Sequence, residues 1–127
     1  MFPFVATTHE ITVSVRPVYL DGESDPIRRR FVFGYHIKIQ NGGTEPVQLL
    51  RRRWLIRDQD GNVEQVEGAG VVGKQPLIEA GGVHAYSSFS VIRTFEGTME
   101  GTYVMRRSTG DEFEIAIPRF ILRAAAN

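Results

Sequence analysis

The chain contains no cysteine. That removes disulfides, thiolate zinc sites, iron–sulfur clusters and sulfur nucleophiles at once, and leaves a cytoplasmic location unopposed. Net charge is missing too: 15 Lys and Arg balance 15 Asp and Glu. No long-range field therefore gathers nucleic acid or an anionic membrane surface, and neither is favoured as a partner. No apolar run approaches the roughly 18 residues of a membrane-spanning helix. The opening Met1-Phe2-Pro3-Phe4-Val5-Ala6-Thr7 has neither a basic n-region nor a long apolar stretch, so no export signal or membrane anchor is expected. The spacing of a buried helical stripe, apolar residues recurring every three or four positions, is also absent beyond a single turn. Repeats and low-complexity tracts are lacking.

What is present is alternation. The 127 residues, 42% hydrophobic and 24% charged, have the composition of a folded domain with one core, and residues 1–127 read as one unit with its core over about 8–122. Period-two patterning predicts strands with one buried face. In His9–Tyr19 the apolar phase is Ile11, Val13, Val15 and Tyr19; in Phe31–Ile39 it is Phe31, Phe33, Tyr35, Ile37 and Ile39. Further strands are expected over Val47–Ile56, Val83–Ile92, Met99–Arg107 and Glu112–Leu122. In the last, the apolar phase changes across Pro118, which predicts a bulge or an edge there. Turn chemistry marks Asn41-Gly42-Gly43-Thr44, read as a hairpin reversal, as well as Asp58–Asn62, Gly81-Gly82 and Thr109-Gly110-Asp111. Six or seven short antiparallel strands predict an all-β immunoglobulin or fibronectin type III-like sandwich. Residues 123–127 read as a frayed tail.

Candidate chemistry is sparse. Gly68-Ala69-Gly70-Val71-Val72-Gly73 matches G-x-G-x-x-G, but the dinucleotide version of that motif needs a helix directly after it. Gln75-Pro76 follows, and Gly81-Gly82 arrives before three turns could form, so the helix is excluded. The loop Gly68, Gly70, Gly73, Lys74, Gln75 and Pro76 reads instead as a crossover between sheets, or as a contact site whose backbone a ligand or partner can approach closely. In Arg51-Arg52-Arg53, alternation places Arg51 and Arg53 together as a two-pronged basic surface. Arg52 takes the phase of Trp54 and should lie against the core, stacked or paired with a carboxylate. His9, His36 and His84 fall on separate strands without metal-ligand spacing, so no metal site is expected. Asp21–Asp25 opens like a calcium loop, yet Pro26 and Val32 occupy the positions of its glycine and bidentate glutamate; it reads as an exposed turn. Ser87, Ser88 and Ser90 lack a nucleophile elbow, and the row His84, Tyr86, Ser88 reads as strand packing rather than a catalytic set. No catalytic residue and no cofactor is expected.

Five motifs together resemble the ApaG family across about Thr8–Leu122. They are Trp54 with Asp58 and Gly61; the run Gly68–Pro76; Tyr86-Ser87-Ser88; Gly97–Met105; and Ile117-Pro118-Arg119-Phe120. The resemblance implies a fibronectin type III-like sandwich in a bacterial cytosolic protein. It also implies an association with cobalt resistance and magnesium efflux, and, because similar domains are appended to eukaryotic F-box and polymerase-interacting proteins, an interaction module. Two positions depart from the family pattern: Phe89 stands where a glycine is usual and His84 where an apolar residue is usual. The leading expectation is a non-enzymatic module contacting a protein partner through the Gly68–Pro76 loop. The alternative is an anion-binding domain for pyrophosphate or a nucleotide, using loop N–H groups with Lys74 and Arg51 or Arg53. Direct cobalt or magnesium binding is a third expectation, with no carboxylate cluster outside turns to support it.

Overall fold

The computed structural model describes residues 1–125. They form β1 (Phe4–Thr8), β2 (Ile11–Tyr19), β3 (Phe31–Asn41), β4 (Val47–Asp58), β5 (Val63–Ala69), β6 (Leu77–Ile78), β7 (Val83–Ile92), β8 (Glu96–Arg107) and β9 (Glu112–Arg123). One sheet has the order β1-β2-β3-β7; the other runs β5-β4-β8-β9, with β6 also on β4, and every pairing is antiparallel. The two sheets face each other as a fibronectin type III-like sandwich. The six alternating segments of the sequence are β2, β3, β4, β7, β8 and β9; β1, β5 and β6 are additional.

Alternation builds the core. Phe33, Tyr35, Ile37 and Ile39 of β3 point inward against Trp54, Met99, Tyr103, Ile115, Phe120 and Leu122 of the other sheet, all buried. Tyr35, Trp54 and Phe120 meet pairwise with ring centroids 5.5, 5.8 and 5.9 Å apart, within the range where aromatic pairs add to plain area burial. The bulge expected at Pro118 is present: Met99 pairs with Phe120 and Gly101 with Ile117, so Pro118 and Arg119 stand opposite Glu100 alone. Extra length on one strand moves Phe120 and Leu122 onto the face already held by Ile115 and Ile117.

Four local expectations need correction. Asn41-Gly42-Gly43-Thr44 is not a hairpin: β3 and β4 belong to different sheets, and this segment carries the chain between them. Asn41 is buried, and its amide nitrogen donates to the carbonyls of Glu45 (2.8 Å) and Ile78 (3.0 Å) while its Oδ1 accepts the Gly43 N–H. Its own N–H donates to Gly82 O, and its carbonyl accepts the Gly81 N–H. The return crossover, β6 to β7, is thereby tied to the outgoing one. His9 is not in a strand. With Glu10 it forms the β1–β2 turn at φ 48° and 67°, the left-handed geometry of a tight hairpin. Finally, Arg123 belongs to β9, and Ala124 is buried with its N–H on Phe95 O; of the rest of the expected tail, Ala125 is exposed, and Ala126 and Asn127 lie outside the described residues. Asp21–Asp25 is the turn expected; it holds a single-turn 3-10 helix, Asp21–Glu23, and a second one, Pro26–Arg28, follows it.

The fourth correction concerns the glycine-rich segment. β5 runs along β4 from Arg57 to Arg51, and β6 rejoins the same edge of β4 at Gln48 and Val47. Residues between them leave and rejoin the same side of β4, so the crossover back to the other sheet comes later, after β6. The flanks of the sandwich consequently differ. On one side β1 and β2 pack on β9, where the Phe4 ring lies 6.3 Å from Phe120 and the Ala116 N–H donates to Thr8 Oγ1 at 3.1 Å. On the other, β7 and β5 face each other across a cleft.

Replacing Asn41 by alanine strips two carbonyls and one N–H of a buried partner. At about 1–3 kcal/mol per unsatisfied buried group, partly relieved by water, we expect a loss of about 2–4 kcal/mol in urea unfolding. A loss below about 0.5 kcal/mol would mean that the two crossovers are not held together there.

Candidate functional site

The excursion is pinned at both feet. The Gly70 N–H donates to Leu50 O at 2.8 Å, and the Gln75 side-chain amide reaches the same carbonyl at 3.0 Å. Leu49 N–H donates to Pro76 O at 3.0 Å, and the Gln48 side chain donates to Gln75 O at 3.1 Å. Leu50 can serve two donors because β4 bulges at this residue, its register with β8 shifting between Leu49 and Arg51. Between the feet, Val71 and Lys74 exchange backbone hydrogen bonds of 2.7 and 3.0 Å. They close a two-residue turn with Val72 at φ 47° and Gly73 at φ 76°. Val71 is buried in the core, whereas Val72 is 62% exposed at the tip. A β-branched residue in the left-handed region is strained by about 1–2 kcal/mol and persists only where the surroundings dictate it.

Arg52 supplies part of that dictation. It faces inward with Trp54, as its strand phase predicts, but its partner is neither an aromatic face nor a carboxylate. Its Nη1 donates to the carbonyls of Ala69 (3.0 Å) and Gly70 (2.8 Å). Close packing here requires two glycines, one against Arg52 and one against the Lys74 backbone. A Cβ on Gly68 would sit 2.9 Å from the Arg52 guanidinium nitrogens, and one on Gly70 would sit 2.2 Å from Lys74 O. Among the described residues no carboxylate lies within ion-pairing distance of Arg52. The other β4 arginines differ: Arg51 pairs with Glu112 at 3.0 Å, Arg53 with Glu114 at 3.2 Å and Glu67 at 3.5 Å, and Arg57 with Glu100 at 2.5 Å. Arg51 and Arg53 thus share the outer face as expected, yet each is already matched by acids on neighbouring strands.

Around Arg52 stand three phenols. Tyr86 and Tyr103 are hydrogen-bonded through their hydroxyls. Burial pushes both well above the ordinary tyrosine range, and the neighbouring phenol pushes Tyr103 further. Tyr35 is also raised by burial, with hydrogen bonds from Ser88 and Ser90 and the charge of Arg52 opposing. His84 stacks on Tyr86 at 6.1 Å and is held below its usual value by burial and by the charge of Lys74. All are neutral at physiological pH, which leaves Arg52 as the charge in the centre of the cleft.

The cleft consists of two adjoining cavities. One, about 360 Å³, extends past Glu64, Phe89 and Val91; the other, about 260 Å³, extends under Val71, Val72 and Gly73. Both are lined by Tyr35, Arg52, Trp54 and Ser88. A larger depression of about 580 Å³ lies across the outer ends of β4, β8 and β9, but its Arg123 and Arg57 are neutralised by Glu96 and Glu100. The structure therefore gathers Gly68, Gly70, Gly73, Lys74, Gln75 and Pro76 into one anchored loop. Arg52, Tyr35, Tyr86 and Ser88, which no site expectation included, join it. Strand phase was the available signal, since it places Arg52 with Trp54 and Tyr86 with Ser88. No group of three or more His, Asp or Glu side chains among the described residues comes together as a metal site.

Two outcomes are expected. Val72→Gly, which removes the side-chain strain at less entropic cost than it relieves, should stabilise the chain by about 0.5–1 kcal/mol in urea; destabilisation would show that the Val72 side chain packs favourably. For the phenols, a folded pKa above the unfolded value near 10 means stability that is whole below about pH 10 and lost as pH rises through the folded value. Tyr35, Tyr86 and Tyr103 should therefore give phenolate absorbance only as the sheets unfold. Their titration near pH 10 with β circular dichroism intact would contradict their burial.

A family model for the ApaG domain matches residues 21–107. Proteins named ApaG from Pseudomonas entomophila and Maricaulis maris are 50% and 47% identical over 114 and 112 residues, covering 90% and 88% of this chain and 90% and 86% of theirs. Among solved structures, an ApaA protein from Bordetella pertussis superposes with a TM-score of 0.86 at 42% identity, covering 89% of this chain and 92% of that one. The sandwich, the anchored glycine-rich excursion and these relatives agree: the chain belongs to the ApaG domain family.

Proposed function

We propose that the chain is a non-enzymatic binding module that contacts a protein partner through its open flank, with the loop Gly68–Pro76 at the rim. The observation that carries this reading is the exposed valine at the loop tip. Val72 is held at φ 47° by a turn that is hydrogen-bonded at both feet and braced by Arg52. An apolar side chain kept in a strained, exposed position is a feature that folding alone does not favour, and such strain concentrates at functional surfaces. In this reading the chain acts in the cytoplasm, and any link to cobalt resistance or magnesium efflux runs through the partner. Pyrophosphate or nucleotide binding has less support. The N–H groups of Gly70, Val71 and Lys74 already donate within the protein, and Arg51 and Arg53 are matched by carboxylates.

A photo-crosslinking residue placed at position 72 should capture a discrete partner in cells. Val72→Asp, which changes only an exposed tip, should abolish co-purification of that partner while leaving the melting temperature within a few degrees. Equal recovery by wild type and Val72→Asp would remove the loop from the interface. Pyrophosphate at millimolar concentration should leave the amide signals of residues 68–73 in place; saturable shifts there would favour the anion-binding alternative.

A further inference from the structure

A sheet edge is a row of unpaired N–H and C=O groups, and natural proteins guard such rows with charge, proline, bulges or brevity. Three of the four edges here are guarded. β1 has five residues and packs on β9. β9 carries Glu112, Glu114, Arg119 and Arg123 and is bulged at Pro118. β5 carries Glu64 and Glu67 and gives way to the glycine-rich excursion. The fourth is not guarded. β7 runs for ten residues, VHAYSSFSVI, without proline, lysine, arginine or carboxylate, and stays in unbroken register with β3 from Val83 to Ile92. Its outward side chains include Phe89 and Val91, at 63% and 40% exposure. This unguarded edge borders the cleft in which Arg52 makes no ion pair among the described residues, Glu64 of the same lining lying beyond ion-pairing distance.

We infer that the free edge of β7 receives an extended segment of a partner protein as an added strand, and that an acidic side chain on the inward face of that segment pairs with Arg52. Strand geometry joins the two observations. Successive side chains of an added strand alternate, so one set enters the cleft beside Tyr86, Ser88 and Ser90 while the other lies outside beside Phe89 and Val91. Arg52 uses Nη1 on the Ala69 and Gly70 carbonyls. Its Nε and Nη2 donors remain for a carboxylate, the group whose geometry a guanidinium matches best. Apolar residues on the outer face of the segment would cover Phe89 and Val91. The partner therefore has a period-two segment, acidic within and apolar without. A second copy of this chain does not meet that description: β7 contains no Asp or Glu, so pairing of β7 with itself would leave Arg52 unmatched. The inference rests on the reading of the open flank as the contact surface.

The test uses the full chain labelled with nitrogen-15 and two blocked peptides, acetyl-Val-Thr-Val-Glu-Val-Thr-Val-amide and the same peptide with Gln in place of Glu. The Glu peptide should shift the amide signals of residues 83–92 and the Arg52 Nε signal in a saturable way. The Gln peptide should bind at least about fivefold more weakly. Phe89→Lys should weaken both peptides, and Arg52→Gln should abolish the preference between them. If Arg52→Gln disturbs the loop, the comparison of the two peptides on the unaltered chain still decides. Three results would overturn the inference: no movement of the β7 signals, equal affinity for the two peptides, or a dimer in sedimentation that Phe89→Lys converts to monomer. Failure of the peptides while Val72→Asp still abolishes partner capture would reject strand addition alone and leave the proposed binding module standing.

Discussion

An arginine faces inward where a sandwich core calls for an apolar residue, and the functional flank of this molecule is arranged around it. Period two on β4 places Arg52 in line with Trp54 and Ile56. A half-buried guanidinium there still needs acceptors, because a cation taken even partly out of water is costly unless it is hydrogen-bonded. The chain satisfies it with carbonyls rather than with a carboxylate, turning Ala69 O and Gly70 O toward it. That choice requires the backbone of β5 to pass close over the guanidinium, hence a glycine at position 68, and requires the strand to break afterwards, hence a glycine at position 70. Close packing on Arg52 and Lys74 therefore explains Gly68 and Gly70, and the positive φ of the tip turn explains Gly73. Arg52, meanwhile, makes no ion pair in the cleft among the described residues.

The rest of the sandwich makes that flank available. Two of the three crossovers between sheets, β3 to β4 and β6 to β7, converge on Asn41, whose side chain and backbone bind segments on either side of it. The fold is thus closed at one end by a polar knot and along one flank by β1 and β9. Along the opposite flank no hydrogen bond or ion pair among the described residues joins β7 to β5. The three phenols and His84 that line this flank stay neutral, so they offer hydrogen bonds and aromatic surface without competing for the arginine.

Alternation makes most of the sandwich legible in the sequence: a strand such as Phe31–Ile39, buried on one face along its whole length, can hardly be read otherwise. The strands that escaped notice are those whose burial is slight. β5 is exposed at Val63, Glu64, Gln65 and Glu67 because it is an edge, so its sequence carries no apolar phase to detect. β6 has two residues and β1 has five, too few for a period to register. Asn41-Gly42-Gly43 was misleading because its residue types suit a hairpin turn, while the pairing that decides between hairpin and crossover depends on strands distant in sequence. The same limit applies to the site. The phase of Arg52 was visible, but its acceptors come from the backbone of Ala69 and Gly70, and main-chain carbonyls leave no signature in residue type. The tension at Val72 was equally hidden, since a positive φ on valine is a consequence of the surrounding hydrogen bonds.

The claim on which the account rests is that Arg52 holds the glycine-rich excursion in place and so shapes the open flank. Amide hydrogen exchange of wild type against Arg52→Met tests it most directly, because methionine keeps a long unbranched side chain and removes the Nη1 donor that the two carbonyls share. The account predicts faster exchange confined to residues 69–75 and their β4 partners, with protection across β3 and β7 unchanged. Protection of the excursion equal to wild type, or loss spread evenly through both sheets, would contradict it.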